Sequence, residues 1–287
     1  MLLALSLTAA PGAASAAAAD LFYERAVMSA ADARCRLFEP DVAAALKVAE
    51  AQARGAALRA GASNAALAQV AAQARARAGG VPCGSKDVAV AAGRVRGAFA
   101  GYSRLVRMDF PGDVAGWSAD RSFAVEGPTW KLSQSTRLGG APLRVGLAGR
   151  RGERARLLAV AAFGAVEPPY AARLVLRDPA RAPEPYLAVM RVSTSAHIPL
   201  QDRVAPRAAS RIFLADDRAP AEPTLAPRPA LAFRFPASAV DALAALDPRE
   251  AVTVEFIYSG RGADTVRSAL LEVGDFAAGR AFIDQAR

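Results

Sequence analysis

The sequence has few of the residues that most often carry catalysis or bind metals. Its 287 residues include two cysteines and one histidine, and the only lysines are Lys47, Lys86 and Lys131. The cysteines lie far from the histidine and form no Cys-x-x-Cys pair, so neither a zinc site nor a dithiol redox site is expected. We therefore predict that the protein uses no metal and no other cofactor.

Long apolar runs are also lacking. Residues 2–10 are apolar, but they are too few to cross a bilayer as a permanent helix. Pro11 and Gly12 break this stretch, and residues 14–19 offer the small side chains that a signal peptidase needs. The pattern predicts a signal peptide at 1–19, a mature chain that begins at Asp20 without a transmembrane anchor, and a periplasmic or secreted location.

The two cysteines have a structural interpretation. In an exported protein an even number of cysteines favours a disulfide, so we expect a bond between Cys35 and Cys83, with two free thiols as the alternative. Apolar residues between them recur at three- and four-residue spacing, as in helices that bury one face. Most are alanines, which bury little apolar area each, so such a bundle would gain much from a disulfide.

Local signals give the bounds of the helices. A proline in a first helical turn, serines as N-caps and glycines after the last turn mark the ends of four helical segments. The predicted helices cover residues 20–34, 40–60, 64–79 and 86–106.

From residue 110 onward the pattern changes to short alternating runs separated by Pro, Gly and Asp, which is typical of antiparallel sandwiches. The glycines at 139, 140, 146 and 149 are interpreted as turn residues. A short helix at 236–246 and a terminal helix after Asp275 accompany the strands. Strands are predicted at 129–137, 155–163, 171–177, 186–194, 211–215, 230–235, 252–258 and 265–273.

Together these patterns predict an α+β fold with two domains. Residues 20–109 would form an N-terminal disulfide-stapled α-helical bundle. Residues 110–287 would form an antiparallel β-sandwich with a C-terminal helix.

The order of elements near the C-terminus carries a resemblance. A strand at 231–235, an Ala- and Leu-rich short helix, a Val252-Thr253-Val254 strand, a last strand and the segment GDFAAGRAF follow one another. This order resembles the C-terminal half of the invasion-associated locus B family of exported bacterial proteins, and Trp130 opens a strand similar to the family's tryptophan strand. The resemblance implies a β-sandwich envelope protein without a known active site, and it assigns no site residue. The family has cysteines inside its β domain, whereas this chain has none there.

The formal net charge is +9, and the basic residues are spread along the chain. A nucleic-acid surface would cluster its charge and interleave aromatic residues for stacking, so no nucleic-acid partner is predicted. One cluster stands out in a predicted hairpin turn, where guanidinium groups could clamp phosphate or carboxylate; an ordinary solvated loop is the alternative. The cluster predicts an anionic envelope component or another envelope protein as partner. Its residues are Arg150, Arg151, Arg154 and Arg156.

His197 is the only histidine and therefore the only candidate histidine base. Ser195 and Asp202 lie close to it in sequence, so a hydroxyl, a base and an acid occur in one segment. Triad members usually come from separate elements, however, and no nucleophile-elbow motif surrounds a serine. Our first hypothesis is a non-enzymatic exported envelope protein that acts as a binding or host-contact module. The second is a periplasmic hydrolase of the esterase or amidase type that uses His197.

Overall fold

The computed structural model describes residues 11–163, 167–187 and 198–285. The chain divides into two compact units, a first up to Ser103 and a second from Arg104. The first unit is helical, and the second contains antiparallel sheets and a C-terminal helix. The predicted α+β class, with the helical bundle first in the chain and the sheets after it, is therefore confirmed.

The helices of the first unit are α1 (Pro11–Cys35), α2 (Pro40–Arg59), α3 (Asn64–Gly79) and α4 (Lys86–Phe99). Pro40 occupies the first position of α2, where its missing N–H leaves no hydrogen bond unmade. The hydroxyls of Ser63 and Ser85 each accept a hydrogen bond from the backbone N–H three residues further on, as N-caps do. The capping signals in the sequence thus place these three helix starts correctly.

The disulfide predicted from the sequence is present in the helical unit. Cys35 at the end of α1 is bonded to Cys83, which precedes α4, and their Cα atoms are 5.6 Å apart. The core beside α1 is small, with Phe22, Leu58 and Leu67 as its large fully buried members and alanines as the rest. Because so little apolar area is buried, the covalent link is a major source of stability for this unit.

Two predicted helix bounds are wrong. The first helix extends N-terminally beyond residue 20 to Pro11, the first described residue, and it runs without a break through the predicted cleavage site. The fourth helix ends at Phe99, and Leu105 and Val106 are exposed instead of lying on its apolar face. Residues 1–10 of the predicted signal peptide lie outside the described residues.

The strands of the second unit are β1 (Arg107–Phe110), β2 (Trp117–Asp120), β3 (Thr129–Leu138), β4 (Ala141–Gly149), β5 (Arg156–Ala161), β6 (Ala171–Arg177), β7 (Ser210–Leu214), β8 (Asp217–Pro220), β9 (Leu231–Arg234), β10 (Ala251–Tyr258) and β11 (Thr265–Glu272). Its helices are α5 (Ala237–Ala244) and α6 (Phe276–Asp284). Seven strands form one sheet in the order β1-β2-β3-β4-β5-β9-β8, and four form another in the order β11-β10-β6-β7. Contacts join the two sheets: the rings of Phe233 and Phe256 are 5.3 Å apart, and the Gln134 side chain hydrogen-bonds the backbone of Glu272.

The strand prediction missed β1, β2, β4 and β8. Gly146 and Gly149 lie in β4 and not in turns, whereas Gly139 and Gly140 do form the turn before it, with φ of +54° and +90°. Gly146 is needed for a different reason, because a Cβ at this position would lie 2.0 Å from the carbonyl oxygen of Leu132. Most of the strand predicted at 186–194 lies outside the described residues.

A buried carboxylate fixes the loop between β1 and β2. Glu272 has no exposed surface, and its side chain accepts hydrogen bonds from the backbone N–H groups of Asp113, Val114 and Ala115 at 2.6, 2.8 and 2.7 Å. The guanidinium of Arg203, itself buried, lies 3.3 Å from the same carboxylate. Because every oxygen of this charge is hydrogen-bonded, its burial is tolerated and the loop is held in place.

The terminal helix α6 is held at both ends. The Trp117 indole N–H donates to the carbonyl oxygen of Val273 at 2.9 Å, and its ring packs edge-on against Phe276 with 4.8 Å between centroids. The guanidinium of Arg121 donates to the carbonyl oxygen of Phe282 at 2.8 Å. These contacts set the position of the side chains that α6 presents to solvent.

Replacing both cysteines, Cys35→Ser with Cys83→Ser, should lower the free energy of unfolding of the helical unit. The cysteines are 48 positions apart, and the loop-closure entropy of such a ring corresponds to about 4 kcal/mol. The measurement is chemical denaturation of the full chain followed by the helical circular dichroism signal. An unchanged transition for the helices would contradict this role of the disulfide.

Glu272→Gln should destabilise the second unit by about 3 kcal/mol, because it leaves the buried Arg203 without its full countercharge and points an amide group at backbone N–H donors. Tryptophan fluorescence during denaturation reports this unit, since Trp117 and Trp130 both lie in it. The matched control is Glu126→Gln, at an exposed position, which should change stability by less than about 0.5 kcal/mol. Equal effects of the two substitutions would show that Glu272 is not a structural anchor.

Candidate functional site

The four arginines singled out in the sequence lie in one hairpin. β4 ends at Gly149 and β5 begins at Arg156, and the two strands pair antiparallel. The backbone N–H of Glu153 donates to the carbonyl oxygen of Arg150 at 3.2 Å, and Gly152 inside this turn has φ of +77°, which favours glycine. We call residues 150–156 the arginine hairpin.

Two cavities flank the arginine hairpin. The first, of about 550 Å³, is called the Arg234 cavity, and its charged lining includes Arg154, Arg156, Arg234 and Arg280 together with the carboxylates of Glu153, Asp216 and Asp284. The second, of about 490 Å³, is called the Lys131 cavity, and its lining includes Phe123, Lys131, Arg150 and Arg151. Both share Glu153 and Ala155 of the hairpin and Ile283 and Asp284 of α6. The hairpin thus presents arginines to a cavity on each side.

In the Arg234 cavity two of the arginines are neutralised and two are not. Arg234 is 2.5 Å from Asp217, and Arg280 is 2.7 Å from Asp241. Arg154 and Arg156 are exposed, and neither has a carboxylate partner within the described part of the chain. Both line the same cavity, as expected for residues two positions apart on extended backbone. Their guanidinium donors are therefore available to an anion.

In the Lys131 cavity a buried ammonium group faces an aromatic ring. Lys131 of β3 is only 5% exposed, its Nζ donates a hydrogen bond to the carbonyl oxygen of Ser122, and the same Nζ lies 3.5 Å from the centroid of the Phe123 ring. Arg151 lies 5.5 Å from the centroid of that ring. Burial lowers the pKa of Lys131; the nearby Asp120 opposes this shift and Arg151 adds to it. Three cations therefore line the cavity: Arg150 is paired with Glu222 at 3.2 Å, whereas Arg151 disfavours the charged form of Lys131.

Of the candidate catalytic residues, one lies in the described part of the chain. Ser195 and His197 lie outside the described residues. Asp202 lies in the short 3-10 helix Leu200–Arg203 and is exposed. The hydrolase hypothesis stays a prediction from the sequence.

Neither a metal site nor a membrane-spanning helix is found among the described residues. Within those ranges no group of three or more His, Cys, Asp or Glu side chains could hold a metal ion. None of the helices found there is long and apolar enough to cross a membrane.

Comparison with known proteins gives no relative for this chain. No protein-family model, no curated protein and no solved structure matches it. The description of the site therefore rests on its own residues.

The sequence interpretation missed part of the site. Lys131 and Phe123 were not singled out, although a lysine between Trp130 and Leu132 in a predicted strand, in a chain with so few lysines, was a usable signal. Arg234 and Arg280 gave no such signal, because they join the cavity only through the pairing of β5 with β9 and the packing of α6.

Asp120→Asn should reduce stability at neutral pH, with a smaller effect in acid. Burial raises the pKa of the Asp120 carboxyl, but hydrogen bonds from Ser122 and from Arg107, at 2.8 Å, outweigh it and hold the pKa below its usual value. A carboxylate whose pKa is lowered on folding stabilises the protein above its unfolded pKa, about 3.9, and loses this contribution as pH falls through the folded pKa. Denaturation of wild type and variant between about pH 7 and pH 2.5 tests this expectation. A stability difference that is the same at every pH would contradict it.

Proposed function

We propose that this protein is a non-enzymatic envelope protein, exported to the periplasm or outside the cell, that binds an anionic ligand through the arginine hairpin. The observation that carries the proposal is the pair Arg154 and Arg156, exposed at one cavity without carboxylate partners in the described structure. Arginine binds phosphate and carboxylate with a planar fork of donors, so a partner-free pair is suited to an anion.

The surroundings of the pair support a binding role over a solvated loop. The hairpin is bounded on both sides by cavities, and α6, which forms a shared wall, is anchored by Trp117 and Arg121. A ligand in either cavity would meet donors whose backbone is already fixed. Such preorganisation lowers the entropy that binding costs.

Export is supported by the disulfide, since such bonds persist mainly outside the reducing cytoplasm. The order β9, α5, β10, β11, α6 agrees with the element order on which the resemblance to the invasion-associated locus B family was based, and membership of that family is part of this proposal. The ligand class we propose is an anionic envelope component such as lipopolysaccharide or a teichoic-type polymer, or an acidic face of another envelope protein.

Charge reversal of the free pair, Arg154→Glu with Arg156→Glu, should reduce retention of the full chain on immobilised lipopolysaccharide by about tenfold or more, because attraction is replaced by repulsion. The readout is the bound fraction at a fixed, near-physiological salt concentration, since charge-driven binding depends on salt.

The matched control is Arg228→Glu with Arg261→Glu, which changes net charge equally at exposed positions that line neither cavity. It should reduce retention far less. Equal losses in the two double variants would mean that net charge alone drives retention. Undiminished retention of the hairpin variant would refute the proposed function.

A further inference from the structure

Lys131 is an unusual residue for the interior of a sheet. It lies on β3, between β2 and β4, with 5% of its surface exposed, yet it lines a cavity of about 490 Å³. An ammonium group has three N–H donors, and within the described structure one of them has a protein acceptor, the carbonyl oxygen of Ser122. Burying a charged donor without partners is costly, so the remaining donors call for an acceptor in the cavity.

No carboxylate forms an ion pair with Lys131 in the described structure. Asp120 is the nearest carboxylate that acts on Lys131, but its oxygens accept hydrogen bonds from Arg107 at 2.8 Å and from the Ser122 backbone at 2.7 Å. The other charge that acts on Lys131 is Arg151, which is positive. Glu153 and Asp284 also line the cavity, but neither forms an ion pair with Lys131 or Arg151 in the described structure. Two cations that face the same cavity repel each other, and an anion placed between them would relieve that repulsion.

We propose that the Lys131 cavity is a subsite for a phosphate monoester, with the phosphate held between Lys131 and Arg151. The inference rests on the proposed anion-binding function and names the chemical group bound. A phosphate monoester carries close to two negative charges at neutral pH and three strong acceptor oxygens. It can therefore accept from the free Lys131 donors and from the Arg151 fork at the same time, whereas a carboxylate offers one charge and two oxygens.

The size and lining of the cavity favour an ester over the free ion. Its volume is far larger than a phosphate group, and its wall also includes Phe123, Ala155 and Ile283. These apolar side chains provide a surface for the organic part of the ligand. The ring of Phe123, close to both cations, would lie beside the point where the phosphate joins that part.

The test is isothermal titration of the full chain with three probes: glucose 6-phosphate, glucuronate and inorganic phosphate. Glucuronate carries a carboxylate at C6 where glucose 6-phosphate carries a phosphorylated hydroxymethyl group, so the pair compares the two anionic groups on the same sugar ring. We expect glucose 6-phosphate to bind at least about tenfold more tightly than either of the other two probes. Equal affinity for glucuronate would overturn the assignment of phosphate, and equal affinity for inorganic phosphate would overturn the assignment of an ester.

Two substitutions test whether the ligand binds between Lys131 and Arg151. Lys131→Met and Arg151→Gln should each weaken binding of glucose 6-phosphate by about tenfold or more, whereas the control Arg261→Gln should change it by less than about twofold. Arg151 is exposed, so its variant keeps the test valid if the buried Lys131 variant fails to fold. Binding that is unaffected by Arg151→Gln would overturn the proposal.

Retention on lipopolysaccharide, measured on the same preparations, separates this inference from the function it rests on. Wild-type protein that is retained but does not bind glucose 6-phosphate would overturn the phosphate subsite alone. Loss of both would overturn the subsite and the proposed function together. If glucose 6-phosphate binds and Arg151→Gln weakens that binding, the subsite is supported, whatever effect Arg154→Glu with Arg156→Glu has on retention.

Discussion

The second unit depends on one desolvated charge, the carboxylate of Glu272. A carboxylate without exposed surface is stable only when its oxygens are hydrogen-bonded, and here three backbone N–H groups and Arg203 meet that requirement. The backbone of the same residue accepts from Trp117 and pairs with Gln134. Through Trp117 this network positions α6, and α6 forms the wall that the two cavities share.

Arginine has two distinct roles in this chain. Inside the second unit arginine is paired. The Arg177 guanidinium donates two hydrogen bonds, each of 2.8 Å, to the carboxylate of the buried Glu250, and Arg203 contacts Glu272. In the hairpin, Arg154 and Arg156 are exposed at a cavity and have no such partner in the described structure. Paired arginines hold the fold, because each neutralises a carboxylate that could not otherwise be buried. The hairpin pair neutralises no carboxylate in the described structure, so its donors are available to a ligand.

Local signals in the sequence were enough for the starts of α2, α3 and α4 and for seven of the eleven described strands. Ser63, Ser85 and Pro40 marked helix starts through short-range chemistry that any context preserves. β4 was missed because Gly146 is used for close approach to β3, and that need arises only once the strands pair. The hairpin arginines were found because they are adjacent in sequence, whereas Arg234 and Arg280 reach the cavity through tertiary contacts that no local pattern encodes.

The most direct test of the central claim is a nuclear magnetic resonance titration that follows the side-chain Nε–Hε signals of the arginines while a phosphate-bearing envelope glycan is added to the full chain. The account predicts that the signals of Arg151, Arg154 and Arg156 shift and saturate together, while those of Arg228 and Arg261 do not move. Shifts of equal size at all exposed arginines, or shifts confined to arginines outside the hairpin, would contradict it.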